Sequence, residues 1–122
     1  MSGASVGPGV TEISPRALFE RLAREKPTAL LDVREPLERD RSAITVAAGT
    51  VDLYIPMNQV PAHLEEIRNV ASRAMLVVYC HHGVRSLIVA EWLAGQGLES
   101  VHNLSGGIDA WSREVDPKVP LY

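Results

Sequence analysis

The sequence predicts an α/β fold: a three-layer α/β/α domain around a small, mainly parallel central sheet. Unbroken aliphatic runs at 28–33 and 75–79 read as strands buried on both faces. Strand and helix signals alternate along the chain, as they do when crossover helices join parallel strands. A short polar loop at residues 80–86, Cys-His-His-Gly-Val-Arg-Ser, stands between the second of those runs and a mostly apolar helix.

Taken in order, residues 1–9 are small and Gly-rich, with neither the basic stretch nor the apolar core of a secretory signal. Residues 1–10 are expected to be a disordered leader and residues 11–122 a single domain. A short edge strand is expected at 11–13. Ser14 then caps a helix whose first position is Pro15, where a missing N–H costs nothing. Leu18, Phe19, Leu22 and Ala23 form its apolar face, and Pro27 stops it. The strand at 28–33 follows. Val60, Leu64 and Ile67 fall at helical spacing, with His63, Glu65, Glu66 and Arg68 on the wet side. The strand at 75–79, the polar loop and a helix over 86–96 come next. Residues 101–103 form a last short strand, and Gly106 and Gly107 turn the chain into a helix through Trp111. The tail at 116–120, with two prolines, cannot be helical and is expected along the surface.

Composition narrows the function. Hydrophobic residues make up 46% and aromatics 5%, so aliphatic side chains and alanine fill one core. A net charge of −3 without a basic stripe argues against nucleic acid as a partner. No apolar run is long enough to span a membrane. The single cysteine cannot close an intramolecular disulfide, which suits a reducing, cytoplasmic setting. One cysteine and four histidines without CxxC or HxxxH spacing argue against a structural zinc site. No metal or organic cofactor is expected.

That cysteine, Cys80, is the chemical centre of the chain. A lone cysteine ending a buried strand is ordinarily a small hydrophobe. Here it precedes a helix whose first N–H groups are unpaired and carry positive partial charge. Arg85, and His81 and His82 when protonated, add to that field. The thiol should therefore ionise more easily than a free cysteine, whose pKa is about 8.5. Four residues, His81, His82, Gly83 and Val84, separate Cys80 from Arg85. A cysteine phosphatase loop uses five, because it must encircle a tetrahedral oxyanion. The shorter ring suits a single anionic sulfur carried on the cysteine.

Cys80, His81, His82, Gly83, Val84 and Arg85 together resemble the active-site loop of the rhodanese (thiosulfate sulfurtransferase) family. Ala29 to Pro36 reads Ala-Leu-Leu-Asp-Val-Arg-Glu-Pro and is similar to the family's first inner strand. Ile55 and Pro56, followed by a helix, and the stretch from Asn103 to Trp111 with its paired glycines, resemble two further family segments. These motifs run in family order from about residue 13 to residue 111. Between Glu38 and Leu53 the chain departs from the pattern. Residues 40–52 are longer than usual and lack the family's histidine and proline there, so the resemblance does not describe their path.

The resemblance implies a rhodanese-like fold and sulfur transfer by double displacement. Cys80 would attack the sulfane sulfur of a small donor such as thiosulfate or a persulfide. An acceptor thiol, or cyanide in assays, would then remove the sulfur from a Cys80 persulfide, with a sulfur-relay protein as an expected partner. His81, His82, Gly83, Val84, Arg85 and Ser86 would form the binding loop. Arg85 would brace loop carbonyls while facing an anionic donor. Asp32 and Arg34 would lie beside the loop, either as a structural ion pair or in a catalytic role. His81 and His82 would steer anions, move protons, or do neither. His63 and His102 read as surface or packing residues, and Trp92 and Trp111 as core. Two other classes stand against the transferase: an inert rhodanese-like interaction module, and a cysteine phosphatase or arsenate reductase.

Overall fold

The computed structural model describes residues 5–7 and 9–122. Its elements are β1 (Ser5–Gly7), β2 (Val10–Ile13), α1 (Pro15–Ala23), β3 (Thr28–Asp32), α2 (Pro36–Arg41), β4 (Val51–Tyr54), a 3-10 segment (Met57–His63), α3 (Leu64–Ala71), β5 (Met75–Tyr79), α4 (Val84–Gly95), β6 (Val101–Leu104) and α5 (Gly107–Glu114). Among the described residues the strands form one sheet in the order β1-β2-β6-β5-β3-β4. All neighbours pair in parallel except β1, which runs antiparallel to β2. This is the three-layer, mainly parallel sheet read from the sequence.

Alternation along the central strands assigns the two cores. Leu76 and Val78 of β5, with Ala29 and Leu31 of β3, face one layer with Ile67, Val70, Val89 and Leu93 of α3 and α4. Val77, Tyr79 and Leu30 face the other, with Leu18 of α1 and Ile108 and Trp111 of α5. Successive side chains of a strand point to opposite faces, so each aliphatic run serves both layers at once.

Several elements differ from the sequence reading. Within the expected leader, Ser5–Gly7 pairs with β2, and Val10 belongs to β2 itself; residues 1–4 and 8 lie outside the described residues. The strand expected at the edge is therefore internal, flanked by β1 and β6. β4 was not foreseen; its short mixed sequence, Val-Asp-Leu-Tyr, has no long apolar run. Helical spacing around Val60 is real, but Met57–His63 is wound as a 3-10 segment containing Pro61, whose ring lacks the N–H of a regular helix. The tail is not merely superficial: Val119 is buried in the second core. The atypical 40–52 segment is anchored at Ile44, which is buried and donates its backbone N–H to the Tyr79 hydroxyl at 3.4 Å.

Parallel strands share one carboxyl edge. β3, β5 and β6 end side by side at Asp32, Tyr79 and Leu104, so the residues that follow them converge.

Candidate functional site

Cys80 follows β5 at that edge, with only 1% of its surface exposed. The chain then curls through Gly83, whose φ of 97° lies in the left-handed region open to glycine, and enters α4. The curl turns donors inward onto one atom. Cys80 Sγ accepts from the backbone N–H of Gly83 at 3.1 Å, the backbone N–H of Ser86 at 3.3 Å, and lies 3.2 Å from the Ser86 hydroxyl. The orphan N–H groups of the α4 start thus meet the sulfur, as the strand–loop–helix pattern implied.

The loop is held from outside as well. Ile108 and Asp109, in the first turn of α5, donate backbone N–H groups to the carbonyls of Cys80 (2.9 Å) and His81 (3.1 Å). Gly107, at φ 64°, packs directly against those same carbonyls. On the inner side Ser86 lies 2.5 Å from Asn103 Oδ1, and Asn103 Nδ2 donates to Glu12 (2.8 Å) and to the Gly83 carbonyl (3.2 Å).

Arg85 takes a different position from the one expected. Its two terminal nitrogens form a bidentate pair with the Glu38 carboxylate, at 2.7 and 2.9 Å, rather than bracing loop carbonyls. Its fork is committed to α2, because a planar guanidinium matches a carboxylate edge to edge. Hydrogen bonding to Arg85 is the chief cause that holds Glu38 well below its ordinary 4.5, at about 2; burial opposes it, and the Glu35 N–H and the Tyr122 hydroxyl reinforce it. The same pair raises the Arg85 pKa.

Asp32 and Arg34 are brought beside the loop as a buried ion pair at 2.7 Å, both side chains fully buried. Burial alone would disfavour the Arg34 charge, but hydrogen bonds to Asp32 and Tyr122 outweigh it and raise its pKa. Arg34 also donates to the carbonyl of Ser42 at 2.6 Å and to that of Glu38 at 3.3 Å, tying down the start of the 40–52 segment. Asp32 accepts in addition from Arg39 at 3.1 Å. The geometry is that of the ionic brace among the two readings of this pair.

The sequence reading missed Tyr122. Its hydroxyl accepts from Arg34 at 2.8 Å and donates to Glu38 at 3.0 Å, while its ring stacks on His81 with centroids 4.0 Å apart. Burial pushes its pKa up to about 12. Glu38, Asn103 and Glu12 were likewise not singled out. An isolated tyrosine after a proline-containing tail carries no local signal, and neither does a glutamate on a short surface helix.

His81 is sandwiched between Tyr122 and His82, whose ring centroid is 3.9 Å away. Burial, then the neighbouring His82, lowers the His81 pKa. Ligand atoms of His81, His82 and Asp109 lie within 4.8 Å of one another. Asp109 is also paired with Arg113 at 3.0 Å. Val84 stands exposed at the rim of the loop. Away from the site, His63 pairs with Glu66 on the surface, His102 is half-buried, Trp111 is buried and Trp92 half-buried against the first core.

Comparison with known proteins agrees with this architecture. Residues 14–114 match the model of the rhodanese-like domain. A sulfurtransferase of Allochromatium vinosum is 36% identical over 110 residues, covering 90% of this chain and 95% of that protein. YtwF of Bacillus subtilis is 33% identical over 111 residues, 89% of this chain and 97% of its own. Among solved structures, a rhodanese-like domain protein from Staphylococcus aureus superposes with a TM-score of 0.71 at 28% identity, covering 91% of this chain and 97% of that one.

Proposed function

The chain belongs to the rhodanese-like domain family, and from the geometry of its Cys80 loop we propose that it moves a sulfane sulfur from a small donor to a thiol through a persulfide on Cys80. The observation that carries this reading is the convergence of the Gly83 and Ser86 N–H groups on a single sulfur atom. Such preorganised donors stabilise negative charge where the reaction develops it.

In the first half-reaction the Cys80 thiolate attacks the outer sulfur of thiosulfate or of a low-molecular-weight persulfide. The donor's sulfur–sulfur bond breaks, its electron pair leaves with sulfite or thiolate, and Cys80 keeps the sulfur as a persulfide anion. In the second, an acceptor thiolate attacks that outer sulfur and Cys80 leaves as thiolate, so charge and atoms balance over the cycle. His82, exposed on the loop, takes the acceptor's proton in this reading. Arg85 keeps the loop in shape through Glu38, and Asp32 and Arg34 support Glu38 from behind. A nucleophile that must return to the free thiolate works in a reducing compartment, for which the cytoplasm is the proposed place. A sulfur-relay protein is the acceptor we propose in the cell.

The test is intact-mass measurement after incubation with thiosulfate, for the native chain and for Cys80→Ser. The native chain should gain one sulfur atom and yield thiocyanate with cyanide. The serine variant, nearly isosteric but barely ionised at neutral pH, should do neither while keeping its circular dichroism spectrum. An unchanged native mass would favour the inert interaction module.

A further inference from the structure

A hydroxyl has one proton to donate, and Ser86 Oγ stands between two acceptors: Cys80 Sγ at 3.2 Å and Asn103 Oδ1 at 2.5 Å. The orientation of the Asn103 amide follows from its other end. Nδ2 is directed at the Glu12 carboxylate (2.8 Å) and the Gly83 carbonyl (3.2 Å), both acceptors, so Oδ1 must be the atom facing Ser86. Glu12 is fixed in turn by the Ser105 hydroxyl at 2.6 Å. Asn103 and Ser86 are both buried, at 2% and 0% exposure, so water does not relieve the competition. Among the described residues, Ser86 is the sole donor to Asn103 Oδ1.

We propose that Asn103 is a positioning residue that competes with the Cys80 sulfur for the Ser86 proton, and so sets how readily the thiolate forms. When Cys80 is a thiol, its S–H donates to Ser86 Oγ and Ser86 donates to Asn103. When Cys80 is a thiolate, the hydroxyl turns to Sγ and Asn103 Oδ1 loses its donor. When Cys80 carries a persulfide, the charge has moved to the outer sulfur, and the hydroxyl returns to Asn103. The amide thus favours the two states in which Sγ is uncharged, including the loaded intermediate, and restrains the free thiolate. An acceptor left without its donor in a buried site is costly, which gives the competition its force. Glu12, on β2, reaches the sulfur through this chain.

The inference rests on reading Cys80 as the nucleophile, but its test does not require sulfur transfer. The pH profile of Cys80 alkylation by iodoacetamide reads the sulfur directly. The ionisable groups that face the loop are Arg85, His81 and His82 on it, Glu38 and Tyr122 beside Arg85, Asp32 and Arg34 after β3, Asp109 on α5 and Glu12 on β2. Ser86→Ala and Asn103→Leu leave all of them in the chain. Ser86→Ala should move the midpoint to higher pH by about half a unit, roughly threefold slower alkylation near neutrality. Asn103→Leu should move it the other way, because the hydroxyl then serves the sulfur alone. The double variant should behave as Ser86→Ala, since the competition requires the hydroxyl, and Ser86→Thr should restore the native profile. If Asn103→Leu does not fold, Asn103→Ala takes its place. A midpoint that stays put or rises on removing Asn103, or a double variant that differs from Ser86→Ala, overturns the proposal. A merely structural Asn103 would lower the melting temperature and leave the profile alone.

Discussion

Glu38 is a surface-helix glutamate by sequence, yet three donor atoms from two side chains meet on it: both terminal nitrogens of Arg85 and the Tyr122 hydroxyl. Arg34 reaches the same residue through its carbonyl and through Tyr122. A carboxylate in that position is worth more than a surface ion pair, because its partners are half-buried and the fork geometry is bidentate. Glu38→Gln keeps the shape but removes the charge and one acceptor. We expect a loss of about 1–3 kcal/mol in urea unfolding, and a larger fractional loss of sulfur transfer as the released Arg85 no longer holds the loop. Unchanged stability and turnover in that variant would leave Glu38 a spectator.

At the scale of elements, the loop is clasped between two helix starts. α4 points its first N–H groups at the sulfur, and α5 points its own at the carbonyls of Cys80 and His81. Each helix leaves its initial donors unpaired, so each needs acceptors, and the loop supplies them on both sides. Close approach is possible because Gly107 has no Cβ; an added one would lie against the carbonyl oxygens of Cys80 and His81, at a backbone conformation L side chains rarely adopt. Gly107→Ala should therefore force α5 and the loop apart. The expected outcome is a stability loss of about 2 kcal/mol or more together with slower alkylation of Cys80. A variant that melts like the native protein would show that the clasp yields without cost.

For the whole molecule, acid should act first through the site. Glu38 has its carboxyl held at about 2 in the fold against an ordinary 4.5. Its contribution is complete above about 4.5 and disappears as pH falls toward 2, because only the unfolded chain takes up the proton early. Thermal melts across that range should fall with pH in the native chain and fall less steeply in Glu38→Gln. Parallel slopes would assign the acid sensitivity elsewhere. Among the described residues no helix is long and apolar enough to cross a membrane, and the two cores are shared through one sheet, so unfolding should follow a single transition.

The chain's own pattern determined the layers, the central strands and the loop. Aliphatic runs such as 28–32 and 75–79 bury both faces, and a cysteine, a glycine and an arginine between strand and helix have few structural uses. These are local properties, readable within a few residues. What holds the loop was decided only in three dimensions. Arg85 and Glu38 are 47 positions apart, Asn103 and Glu12 91, and Tyr122 and Arg34 88. Local propensity carries no trace of such pairings. They arise because parallel strands bring their carboxyl ends to one edge, where polar groups buried by the surrounding helices must find partners among themselves.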